Sequence, residues 1–137
     1  MVTLGVDRNG VMQSPDSPSD VAWYDFSALP GGDGNAVLSG HLDWYTGITG
    51  VFWRLKELAP GDAVEITTAD GRQLRYIVVE TTVYQSATVP VARVVGPTPY
   101  PSVTLVTCEG RFDRATRDYS HRRVVRAELE WRVTPGA

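Results

Sequence analysis

"VTLVTCEGRFD", residues 103–113, joins a strand-like run to a chemically reactive side chain. Val103, Thr104, Val106 and Thr107 are β-branched, the residue types that pack best on a pleated surface. The run ends on Cys108, the one cysteine of the chain's 137 residues, and is predicted to break there into a charged, glycine-containing loop. A side chain at a strand exit has its backbone fixed by the sheet, while the loop opens space above it. One cysteine makes no internal disulfide, so Cys108 is either inert core filler or a reactive thiol.

Outward from this stretch, similar short runs recur between turn signals. They are "AVLSGH" (36–41), "AVEITT" (63–68), "LRYIVVETTVY" (74–84), "SVTLVTC" (102–108) and "RRVVRAELEWRV" (122–133). The turns between them include Pro30-Gly31-Gly32-Asp33-Gly34, Pro60-Gly61-Asp62, Asp70-Gly71 and the proline-rich 96–101. Many short strands punctuated in this way predict a mainly β domain, a barrel or sandwich, with Asp70-Gly71 closing a hairpin. In "GVFWRLKEL", Val51, Leu55 and Leu58 fall at i, i+4 and i+7, which predicts a short amphipathic helix stopped by Pro60-Gly61. In the last run, Val125, Ala127, Leu129, Trp131 and Val133 alternate with Arg126, Glu128, Glu130 and Arg132, predicting one buried and one wet face.

Composition narrows the class further. The chain is 42% hydrophobic and 21% charged, in the range of one globular domain over residues 1–137. A net charge of -3 gives no broad basic field to hold a nucleic-acid backbone. No apolar run approaches the eighteen residues of a spanning helix, no signal-peptide pattern opens the chain, and no metal-ligand spacing is present.

A thiol attacks only as thiolate, so it needs a base or a positive charge close by. The two histidines are His41 and His121; His41 ends "AVLSGH" and, like Cys108, sits where a strand runs out. Arg122 and Arg123 begin the last run, separated from Cys108 by a thirteen-residue loop. If those two strands pair, an arginine at the start of one lies beside the thiol at the end of the other. His121 reads as a rim residue. Trp23, Trp44, Trp53 and Trp131 read as core or groove-lining anchors. Asp43, two residues after His41, either orients the imidazole or caps its loop.

"TLVTC", the upstream "AVLSGH" and the "R-x-V-V-x-A" strand, in that order and with the "PGD" turn between them, resemble the sortases, cysteine transpeptidases of bacterial surfaces. The likeness runs from about Leu4 to Leu129 and includes "LGVDRNGVMQSP" and "WYDFSALPGGDGNAVLSGHLDWYTGITGVFWRLKELAPGDAVEI". Together these are similar to the actinobacterial branch called class F. The resemblance implies a closed β-barrel of about eight strands with one or two short helices. It implies His41 and Cys108 as catalytic histidine and nucleophile. For the arginine, motif alignment selects Arg122, whereas strand alternation groups Arg123 with Val125, Ala127 and Leu129. Related chains carry the arginine two residues earlier, at the position of Ser120, which has the strand parity of Arg122.

The implied reaction is cleavage of an LPXTG-like sorting signal between Thr and Gly. It proceeds through a thioester on Cys108, with transfer to an amine such as a peptidoglycan precursor or pilin lysine, or to water. A thiol and an imidazole working as a pair imply a bell-shaped pH profile. No cofactor or metal is implied. The resemblance further implies a groove lined by Val106 and roofed by the 85–100 loop. It also implies a monomer at the extracytoplasmic face of the membrane, held by an upstream segment that this chain lacks. The rival from another class is a non-catalytic surface-binding barrel with an inert cysteine. A papain-like peptidase fits less well, because its cysteine precedes its histidine and opens a helix.

Overall fold

In the computed structural model, residues 1–6, 8, 12–43, 48–113, 115 and 118–133 are described, with backbone alone at 108–113, 118, 132 and 133. Trp44 lies outside the described residues. Seven strands form one sheet: β1 (Val2–Leu4), β2 (Ala22–Tyr24), β3 (Asn35–Ser39), β4 (Ala63–Thr67), β5 (Gln73–Gln85), β6 (Ser102–Asp113) and β7 (Asp118–Val133). Their hydrogen-bonded order is β1-β2-β3-β6-β7-β5-β4, with β3 and β6 parallel and β7 antiparallel to both its neighbours. One α-helix, α1 (Val91–Val95), and one 3-10 turn (Leu55–Glu57) complete the elements among the described residues. A mainly β fold with one or two short helices is therefore present, on seven strands.

Alternation along the strands explains the shape. Ala36 and Leu38 of β3, Leu74, Tyr76 and Val78 of β5, Val103 and Leu105 of β6, and Val125 and Ala127 of β7 meet in one buried cluster with Leu55. Side chains on one face of four adjacent strands reach a single cluster only if the sheet rolls around it. The Asp70-Gly71 hairpin forms as expected, with Gly71 at φ 86° and β4 paired antiparallel to β5. At that turn the Thr68 hydroxyl, donating to the Asp70 carboxylate, holds its pKa below the usual carboxylate value.

Three expectations change. The helix over 51–58 shrinks to the 3-10 turn: Leu55 is buried but Val51 is exposed, so the expected stripe has no continuous surface to cover. Arg54, at its start, provides no side-chain cap. The loop expected after Cys108 is instead the tip of a long hairpin, since β6 and β7 stay paired out to Asp113 and Asp118. The register shifts between Glu109 and Phe112, a span containing Gly110, the residue type that suits a bulge. Finally, the face of β7 expected to be wet carries a buried Val124 and a half-buried Arg126. The cover there is α1, inside the 85–100 segment read only as a loop.

Candidate active site

β6 is the central strand of the site. Ser102, Val103, Thr104, Leu105 and Thr107 are all buried, as a strand covered on both faces requires. Val106 alone among residues 102–107 is only half-buried. The cover on its face thins towards Cys108, which is where a groove can open.

Register decides which residues share that face. On the β6–β7 ladder Thr104 lies opposite Arg126, Val106 opposite Val124, and Cys108 opposite Arg122. The intervening pairs, Val103–Ala127, Leu105–Val125 and Thr107–Arg123, belong to the core face. Directly opposed residues of antiparallel strands lie on one side of a sheet. Arg122 is therefore on the face of position 108, and Arg123 is on the other. The strand alternation that grouped Arg123 with Val125 and Ala127 is correct, but it places Arg123 with the core. The Cys108 side chain itself lies outside the described residues.

His41 arrives from the opposite side of β6. The β3–β6 register ends with Ser39 level with Val106. Beyond it, Gly40 N donates to Val106 O at 3.2 Å and Thr107 Oγ1 donates to Gly40 O at 2.8 Å. His41 and Cys108 each lie two residues beyond that level, His41 past the end of β3 and Cys108 within β6, where it faces Arg122.

The imidazole is held from the N-terminal side: Nε2 lies 2.6 Å from the Pro15 carbonyl oxygen. A carbonyl only accepts, so Nε2 donates, fixing the ring orientation. The segment carrying Pro15 is itself tied down, because Tyr24 donates its hydroxyl to Gln13 O at 2.6 Å and Val51 N donates to Pro18 O at 2.7 Å. On the far side, Phe52 N donates to His41 O at 3.0 Å and Gly50 N to Leu42 O at 2.8 Å. Gly50 is needed there for space, since a Cβ would fall 2.0 Å from His41 O. The Asp43 carboxylate accepts from the Tyr119 hydroxyl, tying the loop after His41 to β7.

Arg122 is held by Nη1, which donates to Ser86 Oγ at 2.7 Å and to the carbonyls of Tyr119 and His121 at 3.2 Å each. Ser86 is placed by its own backbone, N–H to Ser120 O at 2.9 Å, and donates its hydroxyl to Tyr119 O at 2.6 Å. Ser120 turns instead to His121, Oγ to Nδ1 at 2.6 Å. The sequence reading missed Pro15, Gly50 and Ser86. Two of the three act through backbone atoms, which leave no side-chain signature, and Ser86 is one hydroxyl among many. Of the tryptophans, Trp23 packs on the core and donates Nε1–H to Ala28 O at 2.8 Å. Trp53 and Trp131 are substantially exposed, with Lys56 over the Trp53 ring.

A single rolled β sheet with almost no helix defines the class, β-barrel proteins. A family model described as the sortase domain matches residues 2–130, and the chain belongs to the sortase family. It is similar to sortase A from Corynebacterium diphtheriae, with 28% identity and a TM-score of 0.63 over 85% of this chain and 50% of that one. It is also similar to sortase C-1 from Actinomyces oris, at 28% identity and a TM-score of 0.63, over 80% of this chain and 56% of that one. A lid mutant of the C. diphtheriae sortase A matches at 26% identity and a TM-score of 0.67, over 90% and 63% of the two chains. The chain thus spans about half the length of the first of these solved relatives. No curated protein matches it.

Proposed function

We propose that this chain is a sortase-type cysteine transpeptidase that cleaves an LPXTG-like sorting signal between Thr and Gly. What supports the reading is Cys108 opposite Arg122 on the β6–β7 ladder and His41 two residues past the end of the adjoining β3, in a chain of the sortase family. In the first half-reaction the Cys108 thiolate attacks the threonine carbonyl carbon, and the C=O electrons move to oxygen. As the oxyanion collapses, the C–N bond to glycine breaks and a thioester remains on Cys108. His41 supplies the proton that the departing glycine amine takes up. The contact from Nε2 to Pro15 O sets the orientation in which the ring does so.

In the second half-reaction an incoming amine attacks the thioester, gives its proton to His41 and expels the thiolate. Water in place of the amine yields the carboxylic acid. Arg122 donates to the oxyanion; a guanidinium stays charged throughout the working pH range, and its planar fork is pre-set by the Nη1 contacts. The acceptor is a cell-wall precursor or pilin amine, and the site of action is the outer face of the membrane. Among the described residues no helix is long and apolar enough to cross a membrane.

The test is a peptide carrying the LPXTG-type signal between a fluorophore and a quencher, read by fluorescence and by mass. Cleavage between Thr and Gly, with an acyl adduct on Cys108, is the expected result. Loss of both in Cys108→Ala completes it. Cleavage that persists after Cys108→Ala, or after full blocking with a methanethiosulfonate, overturns the mechanism. An intact peptide beside an unlabelled thiol leaves the non-catalytic barrel as the reading.

A further inference from the structure

The face that carries positions 108 and 122 continues along the same three strands to a second polar row, Asn35 on β3, Thr104 on β6 and Arg126 on β7. Asn35 and Thr104 are 4% and 0% exposed, so each of their polar atoms needs a partner, and each has one. Thr104 Oγ1 donates to Asn35 Oδ1 at 2.6 Å and accepts from Arg126 Nε at 2.8 Å. Two further donors, Asn35 Nδ2 and Arg126 Nη2, point at the end of α1. Asn35 Nδ2 donates to the Val94 and Gly96 carbonyls at 3.0 and 2.9 Å. Arg126 Nη2 donates to the Arg93 and Val94 carbonyls, at 3.1 Å each.

A helix leaves its last carbonyls without intrahelical partners. α1 has only five residues, and its C-terminal Gly96 has a φ of -74°, so no left-handed glycine turn closes it. The sheet caps the helix instead, and the cation among the caps suits the negative helix end. The helix buries Val94 on this face. Its position over the sheet is therefore set by Arg126 and its two relay partners.

Between this row and the candidate catalytic positions lie Val106 and Val124. Thr104 to Cys108 and Arg126 to Arg122 are each four residues, about 13 Å of strand. That is the length of an extended tetrapeptide ending at the thiol. An extended substrate whose scissile carbonyl sits at Cys108 then places the residue three positions upstream about 10 Å along the strands, within one residue step of the row that holds α1.

We propose that the Asn35–Thr104–Arg126 row is the anchor of the substrate-selecting roof, and that Arg126 is its positioning residue. It acts through α1 and without touching the reacting atoms. The inference rests on the proposed transpeptidase reading and adds to it the residues that hold the selecting element in place.

The test compares Arg126→Met, Arg126→Lys and Thr104→Val on two quencher-paired peptides, one with Leu and one with Ala at the first signal position. Arg126→Met keeps the stem's bulk and removes the donors. Expected is about a tenfold rise in KM for the Leu peptide, with kcat within about twofold, and a narrowed Leu-over-Ala preference. Arg126→Lys, retaining one cationic donor, recovers part of the KM. Thr104→Val raises KM with Arg126 untouched and serves should Arg126→Met fold poorly. Hydrogen exchange over residues 90–98 is expected to speed up in each variant, independently of any activity. Unchanged KM and preference in variants that fold overturns the anchor role, as does an equal fall of kcat at unchanged KM. If the wild type cleaves neither peptide, the transpeptidase reading is what fails. The exchange result then still reports whether the row holds α1.

Discussion

Two ends of one sheet face invite comparison. At the distal end, Asn35, Thr104 and Arg126 reach across three strands and tie their polar atoms to each other and to the carbonyls of α1. At the other end, the His41 imidazole is held by Pro15 O, and the Arg122 guanidinium by Ser86 and two carbonyls. The first arrangement is internally complete and fixes a backbone element. The second fixes the orientation of two side chains, the imidazole and the guanidinium, beside position 108. Both ends use the same register, so the difference comes from what lies above each: a helix over one, and thinning cover over the other.

The largest break in this contrast is expected from Arg122→Ala, which should lower kcat by about 10²- to 10³-fold, the scale of one oxyanion donor. Arg123→Ala, on the core face, should leave kcat within a few-fold and act on stability instead. Steady-state kinetics beside thermal melts separates the two, and equal kcat losses would dissolve the distinction drawn from the register.

Gly50→Ala comes next. The added Cβ meets the His41 carbonyl, so His41 must move, and a displacement near an ångström costs up to about 10²-fold in rate. Exchange of α1 should stay as in the wild type, which keeps the damage at one end; accelerated exchange there would mean that the two ends are mechanically coupled.

The smallest effect on rate is expected from Asn35→Ala. It removes the donor and acceptor that serve Val94, Gly96 and Thr104, and should lower stability by about 2 kcal/mol. Denaturant titration measures it, and kcat per folded molecule should hold. A lost kcat at full stability would place Asn35 among the reacting groups.

How much of this was legible beforehand varies by element. The strand at 102–108 announced itself through its β-branched residues, and the Asp70-Gly71 turn through its demand for positive φ. Cys108 and His41 stood out as candidates because thiols and imidazoles are rare in this chain and carry chemistry on their own. The hairpin tip after Cys108 was read as loop because its charged residues mimic one; strand pairing out to Asp113 and Asp118 overrode composition. α1 was missed because "VARVV" is too short and too β-branched to signal a helix.

By itself, then, the sequence determined a mainly β chain, the order of histidine, cysteine and arginine, and the strand parity that separates Arg122 from Arg123. The rolled sheet decided which parity faces the core and which faces the groove, and so which arginine stands opposite Cys108. Tertiary structure alone brought Pro15 to His41, Ser86 to Arg122, and Arg126 to the end of α1. The reason is physical: parity is a local property of an extended chain, whereas a hydrogen bond between distant segments exists only once the fold has set their separation and direction.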